Sequence, residues 1–260
     1  MRCLLAVHGS KLANTQDTID SLLPLFNGAV CDVVVAAPEQ WDLGVLTVGM
    51  YSGELDPRNY GFRLLALVNA CWQANRTYDM VVLTDDRCLA LTNASLIAGF
   101  RTWFEQSRLG LVGVADEHQR YMPFEKYASA LWHWGLPYGG WKPNHPPLLG
   151  GVLFFGRTLL QKMFDKGLMP GRDWQQWPTT FGDYAMIIAS ALKEEVFPVG
   201  TSARPRMPLF VAGEDVDGRK IVAPNLLRPE FAIFHPLDSV YGVSEYELRN
   251  AYKERREGRG

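Results

Sequence analysis

Two adjacent carboxylates, Asp85 and Asp86, end the apolar run Met80-Val81-Val82-Leu83-Thr84, and Arg87 follows them. Paired carboxylates at such an exit are costly unless they meet a cation or water. Mg²⁺ and Mn²⁺ take oxygen ligands and bridge to phosphate oxygens, so one chemistry open to this pair is to hold such an ion against a phosphorylated ligand. The plainer alternative has Asp85 capping the next turn and Asp86 solvated. Asp183 opens an apolar helical stretch after Phe181-Gly182. A carboxylate there is favoured by the helix dipole, and it is also placed to act as a general base at a cleft rim. His235 follows Phe231-Ala232-Ile233-Phe234. It is either a structural imidazole or a nitrogen ligand for an ion held at Asp85 or Asp86.

These groups need elements to carry them. Residues 4–7 read as a buried strand running into His8-Gly9-Ser10, and 30–37 as a second strand closed by Pro38. Between them, Asn14-Thr15-Gln16-Asp17 offers helix caps before Ile19, Leu22, Leu23, Leu25 and Phe26. Residues 41–57 look irregular, 59–74 helical, 80–83 a third strand, 96–106 helical and 109–114 a fourth strand. Alternating strands and helices predict a largely parallel sheet with helices on both faces. Ligands of such sheets bind beyond the carboxyl ends of the strands, so His8-Gly9-Ser10, Pro38-Glu39 and Asp85-Asp86 are expected along one edge. Further on, 150–156 is a glycine-bounded strand, 158–164 a helix stopped by Gly167, and about 182–194 a helix capped by Thr179 or Thr180. Residues 231–234 form a late strand, and 244–256 a charged, exposed helix. Residues 121–147 carry many aromatic rings among Gly and Pro, including Trp132, Trp134, Tyr138 and Trp141. Such rings usually fill cores, but in a loop they make stacking platforms for a sugar or a base.

Composition narrows the classes. The chain has 260 residues, 47% hydrophobic and 21% charged, which excludes a disordered tail, a collagen and a coiled coil. Twenty-six Lys+Arg against 28 Asp+Glu give a net charge of −2, so no global field draws it to nucleic acid or an anionic membrane. The mixed-charge tail and Arg204-Pro205-Arg206 are best read as solvated faces. The four cysteines, Cys3, Cys31, Cys71 and Cys88, lack CxxC spacing and sit beside apolar runs, as buried thiols do. The first apolar run is too short for a signal peptide, and no run approaches the roughly 18 residues of a membrane span. A cytoplasmic location is expected. No Gly-x-Ser-x-Gly elbow accompanies His8-Gly9-Ser10, and neither GxGxxG nor GxxxxGK[ST] occurs.

Together these segments resemble the GT-A class of nucleotide-sugar glycosyltransferases, over about residues 1 to 240. Residues 4–10 look like its first strand and nucleotide-contacting loop. Residues 78–87 look like the strand ending in its DxD motif, 147–157 like its glycine-bearing acceptor-side strand, and Phe181-Gly182-Asp183-Tyr184 like the step bearing the base. The resemblance implies an α/β fold, GT-A-like and Rossmann-like, with a mixed, mainly parallel sheet flanked by helices. It implies one catalytic domain over 1–243, with a nucleotide-sugar half (1–115) and an acceptor half (116–243), and a charged helical tail over 244–260. The donor, a UDP-sugar in most of the class, would meet His8, Gly9, Ser10, Asp85, Asp86 and Arg87. The acceptor would meet Gly150, Gly151, Trp134 and Trp141. Asp85, Asp86 and His235 would hold Mn²⁺ or Mg²⁺, and Asp183 would be the base of an inverting transfer. One departure bears on the metal: Arg87 stands where DxD has its last aspartate. An arginine binds no metal but neutralises a diphosphate directly. Two other readings stay open: a nucleotidyltransferase acting on a sugar phosphate, and a nucleotide- or sugar-binding protein without turnover. A small molecule, a saccharide or a modified nucleic-acid base would each suit as acceptor.

Overall fold

The computed structural model describes residues 1–26, 28–49, 60–91, 110–115, 128, 131–132, 135–136, 148–170, 180–199, 210–212, 221–222, 232–235, 237, 240–241 and 244–258. Its centre is a seven-stranded sheet. The strands are β1 (Arg2–His8), β2 (Val30–Ala37), β3 (Leu46–Gly49), β4 (Met80–Asp85), β6 (Leu111–Ala115), β7 (Leu148–Gly156) and β8 (Val196–Val199), in the order β3-β2-β1-β4-β7-β6-β8. The β3-β2-β1-β4 half is parallel throughout. β7 runs antiparallel between β4 and β6, and β6 pairs parallel with β8. The fold is therefore α/β with a mixed, mainly parallel sheet. The sheet crosses residue 116, because β7 pairs with β4 directly.

Side chains alternate across each strand, and both faces are covered. Leu4 and Ala6 of β1, with Val81 and Leu83 of β4, pack under α2 (Tyr60–Gln73), α3 (Arg157–Asp165) and α4 (Phe181–Ala191). Cys3, Leu5 and Val7, with Met80 and Val82, face α1 (Leu12–Leu22) instead. Gly61 lets α2 cross close to α4: a Cβ there would lie 1.9 Å from the Phe181 ring. Gly167, at φ +65°, turns the chain after α3 as its position predicts.

A smaller sheet has the order β5-β11-β9, with β5 (Leu89–Leu91), β9 (Phe210–Ala212) and β11 (Ala232–Phe234). β11 runs antiparallel to β5 in the register Phe234↔Leu89. Two short strands, β10 (Ile221–Val222) and β12 (Val240–Tyr241), pair in parallel. The chain ends in α5 (Glu245–Arg256).

Several elements differ from the sequence reading. The stretch read as irregular contains β3, because parallel pairing to β2 needs no alternation of its own. α1 begins at Leu12, before the caps at 14–17, because its amino end is satisfied from a distant residue, described below. β4 extends to Asp85, so the first carboxylate sits on the strand itself. α5 is not wholly exposed: Leu248, Arg249 and Tyr252 are buried. The helix expected at 96–106 lies outside the described residues.

Candidate active site

The carboxyl ends of β1 and β4 lie side by side, with His8 opposite Asp85 in the register. Asp85 caps its own turn. Its Oδ1 accepts from the Arg87 N–H at 2.9 Å, and its carbonyl accepts from the Cys88 N–H at 3.2 Å. The Arg87 side chain folds back, with Nε and Nη2 at 3.0 and 2.7 Å from Asp85 Oδ2. His235 arrives from 150 residues away and places Nε2 2.8 Å from Asp85 Oδ1. The small sheet explains this meeting, since Phe234 pairs with Leu89 and leaves the next residue beside the start of β5. Asp85 is 3% exposed. Burial alone would raise its carboxyl; His235 and then Arg87 outweigh that and hold it well below the usual carboxylate range.

Asp86 behaves differently, although it is also buried. Its Oδ2 accepts from the backbone N–H groups of Ser10 and Lys11 at 2.7 and 2.8 Å, and from the Ser10 hydroxyl at 2.9 Å. It therefore caps the amino end of α1 from 75 residues away. Its own N–H donates to the His8 carbonyl at 3.0 Å. The plainer alternative holds for Asp85, which caps its turn, but not for Asp86, which is buried with its carboxylate committed to the β1–α1 loop. A polar stripe on α1 follows the same chain onward. Thr15 Oγ1 lies 3.4 Å from Asp86 Oδ2, Thr18 Oγ1 donates to the Cys88 carbonyl at 2.6 Å, and Ser21 Oγ accepts from the Ala90 N–H at 3.0 Å. Three hydroxyls at three-residue spacing were the available sequence signal, hidden because Ile19 and Leu22 beside them marked that helix face as apolar.

Glycines shape the rest. A Cβ on Gly9 would meet Thr15 Oγ1 and the Trp41 ring at 2.6 Å each, so the loop needs glycine to lie against α1. A Cβ on Gly151 would lie 2.5 Å from His235 Nδ1, so β7 admits the imidazole only because that position is bare. The Tyr60 hydroxyl donates to the Gly151 carbonyl, and its ring stacks on His8 with centroids 5.6 Å apart. Tyr60, unremarked in the sequence, thus joins the start of α2 to β1 and β7. Burial lowers the His8 imidazole below its ordinary value, with Asp85 opposing. Burial, with Asp85 second, raises the Tyr60 hydroxyl.

Asp183 lies in the first turn of α4, buried, and is paired with the helix cap. The Thr180 hydroxyl donates to Asp183 Oδ2 at 2.8 Å and accepts from the Asp183 N–H at 3.5 Å. Of the two caps proposed, Thr180 is the one used. Gly150 lies in β7 beside Gly151. Trp134 and Trp141 lie outside the described residues, and Trp132, nearby in sequence, is 86% exposed.

The side chains that would hold a divalent cation are Asp85 and His235, whose Oδ1 and Nε2 now meet each other directly at 2.8 Å, while Asp86 is committed to the β1–α1 loop. Among the described residues no three His, Cys, Asp or Glu side chains converge as a metal group. Two protein ligands fit an ion that keeps waters and borrows phosphate oxygens from its substrate, as Mg²⁺ commonly does. A closed structural site would need more.

No family profile matches the chain, and no curated protein sequence does either. Among solved structures, it is similar to mouse xyloside xylosyltransferase 1 in its apo form. The identity is 14%, covering 77% of this chain and 86% of that one, with a TM-score of 0.39. It is also similar to a glycosyltransferase involved in glycosylation of the major capsid of PBCV-1. Here the identity is 9%, covering 96% and 98% of the two chains, with a TM-score of 0.43.

Proposed function

We propose that the chain is a GT-A-type glycosyltransferase that moves a sugar from a nucleotide diphosphate, a UDP-sugar by the habit of the class, to an acceptor hydroxyl. The observation that supports it best is the meeting of Asp85 with His235, 150 residues apart, beside the Ser10 loop at the carboxyl ends of two parallel strands. The donor's nucleotide would lie along the His8-Gly9-Ser10 loop, with its diphosphate toward Asp85, Arg87 and His235. Asp85 and His235 would hold Mn²⁺ or Mg²⁺, which when bound neutralises diphosphate oxygens and stabilises the leaving group. Arg87, whose side chain is 38% exposed, would add a guanidinium on the solvent side. Asp183 would take the proton of the acceptor hydroxyl as that oxygen attacks the anomeric carbon. The bond from that carbon to the β-phosphate oxygen breaks, its electron pair leaves with the diphosphate, and the anomeric centre inverts. The Thr180 hydroxyl orients the Asp183 carboxylate for this step. Gly150, Gly151 and the aromatic segment with Trp134 and Trp141 would flank the acceptor, which is a small molecule, a saccharide or a modified nucleic-acid base. No helix among the described residues is long and apolar enough to cross a membrane. A cytoplasmic location suits the four cysteines, which carry thiols and no disulfide.

The Arg87–Asp85 pair favours a second reading, a binding protein that keeps the site without turnover. A thermal-shift panel of nucleotides and nucleotide sugars, with and without Mn²⁺ or Mg²⁺, tests both. Ligand at 100 times its dissociation constant stabilises by roughly 2.7 kcal/mol. A metal-dependent shift by UDP or UDP-sugars, lost in Asp85→Ala and followed by release of UDP, is the expected result. A shift without any turnover selects the binding protein. A shift with nucleoside triphosphates alone points to a nucleotidyltransferase, and no shift with any nucleotide overturns the proposal.

A further inference from the structure

Arg249 sits on α5, 163 residues after Asp86, and is almost fully buried. Its guanidinium bonds in three directions. Nε donates to Glu245 on its own helix at 2.8 Å, Nη1 to Asp17 of α1 at 3.1 Å, and Nη2 to the backbone carbonyl of Asp86 at 3.2 Å. The last contact lies behind the Asp85-Asp86-Arg87 turn. The Asp86 carbonyl and the Arg87 N–H belong to one planar trans peptide, so they point in opposite directions and rotate together. The Arg87 N–H donates to Asp85 Oδ1, the same oxygen that His235 Nε2 meets. A hold on the carbonyl therefore fixes the N–H that orients the carboxylate on the other side. Arg256, farther along α5, pairs with Asp20 of α1 at 2.9 Å; it joins the same two helices without touching the turn.

We propose that Arg249 is a positioning residue for the Asp85-Asp86-Arg87 turn. α5 works as a strap whose guanidinium grips the Asp86 carbonyl, keeping Asp85 aimed at His235 and Asp86 over the amino end of α1. Its role in donor binding rests on the glycosyltransferase reading; its hold on the turn does not. The segment read from sequence as a charged, exposed helix is in this account part of the site.

The test compares Arg249→Met, Arg249→Lys and Arg256→Met in the full chain at a temperature where circular dichroism shows each folded. Two quantities are read: UDP affinity by calorimetry with Mn²⁺ present, and hydrogen exchange of the Arg87 amide by NMR. Arg249→Met is expected to weaken UDP binding and speed Arg87 exchange by roughly tenfold each, the scale of one charge-assisted hydrogen bond. Arg249→Lys should recover part of both, and Arg256→Met should change neither. The proposal is overturned if folded Arg249→Met stays within about twofold of wild type in both, or if Arg256→Met moves both as far. If Arg249→Met does not fold, Arg249→Lys and Asp17→Asn carry the same comparison. If the wild-type chain binds neither UDP nor UDP-sugars, the glycosyltransferase reading fails. The exchange rate of Arg87 then decides the positioning role alone.

Discussion

β1 and β4 carry ionic networks at both ends, and the two networks differ in kind. At the amino ends, Arg2 pairs with Asp32 at 2.8 Å, Tyr78 donates to the same Asp32 oxygen at 2.9 Å, and Arg157 pairs with Asp79 at 3.2 Å. The side chains of Arg2 and Asp32 are 43% and 35% exposed. At the carboxyl ends, the side chains of Asp85 and His235 are 5% and 7% exposed. Water screens the first network, so its charges have an alternative partner when a pair breaks. In the second only Arg87 reaches water, so loss of Asp85 strands the buried His235 imidazole. Buried charge at a strand-exit edge is costly, and that cost marks these groups as the candidate site.

That contrast can be broken experimentally. The largest effect is expected from Asp85→Ala, which leaves the buried His235 imidazole without its partner. Stability should fall by about 3–5 kcal/mol, and the UDP-induced shift should vanish; urea unfolding and thermal shift read the two. Asp86→Ala should cost about 1–3 kcal/mol by leaving the Ser10 and Lys11 amides without their acceptor. Protection of those two amides against exchange should drop with it. Gly151→Ala forces a methyl against His235 and should cost about 1–3 kcal/mol. Its sharper signature is a displaced His235 imidazole, seen as moved ring signals in NMR. Next comes pH. The His8 imidazole is lowered by burial, so the unfolded chain binds the extra proton first. His8 therefore contributes stability that is present above about pH 6.5 and is lost as pH falls below it. His8→Gln should flatten the urea midpoint between neutral and mildly acidic pH relative to wild type. The smallest effect belongs to the amino edge, where Arg2→Met and Arg157→Met should leave both the urea midpoint and UDP binding unchanged. A loss of UDP binding there would break the contrast.

Much of this was legible in the chain itself. The apolar runs at 4–7 and 80–83 and the largely apolar stretch at 30–37, separated by helical periodicity, specify parallel strands because helices cover both faces of such a sheet. The stop at Gly167 and the Thr180 cap are local chemistry, and local chemistry reads well. The weaker elements were missed for a related reason: β3 and β5 are short and depend on their neighbours for definition.

Among the site residues, sequence alone determined which could do chemistry: His8, Ser10, Asp85, Asp86, Arg87, Asp183 and His235. It also determined that the first several lie at strand exits. It did not distinguish Asp85 from Asp86, because two adjacent carboxylates have the same local chemistry. Only the tertiary structure assigned one to His235 and the other to the amino end of α1. Likewise Tyr60 and Arg249 carry no local mark, and Gly151 was marked only as a strand glycine on the acceptor side; their contacts come from a stacked ring, a carbonyl 163 residues away and a missing Cβ. A residue's type sets which bonds it can make. Which bonds it does make depends on what the packed core brings within about 3 Å, and that is a property of the whole chain.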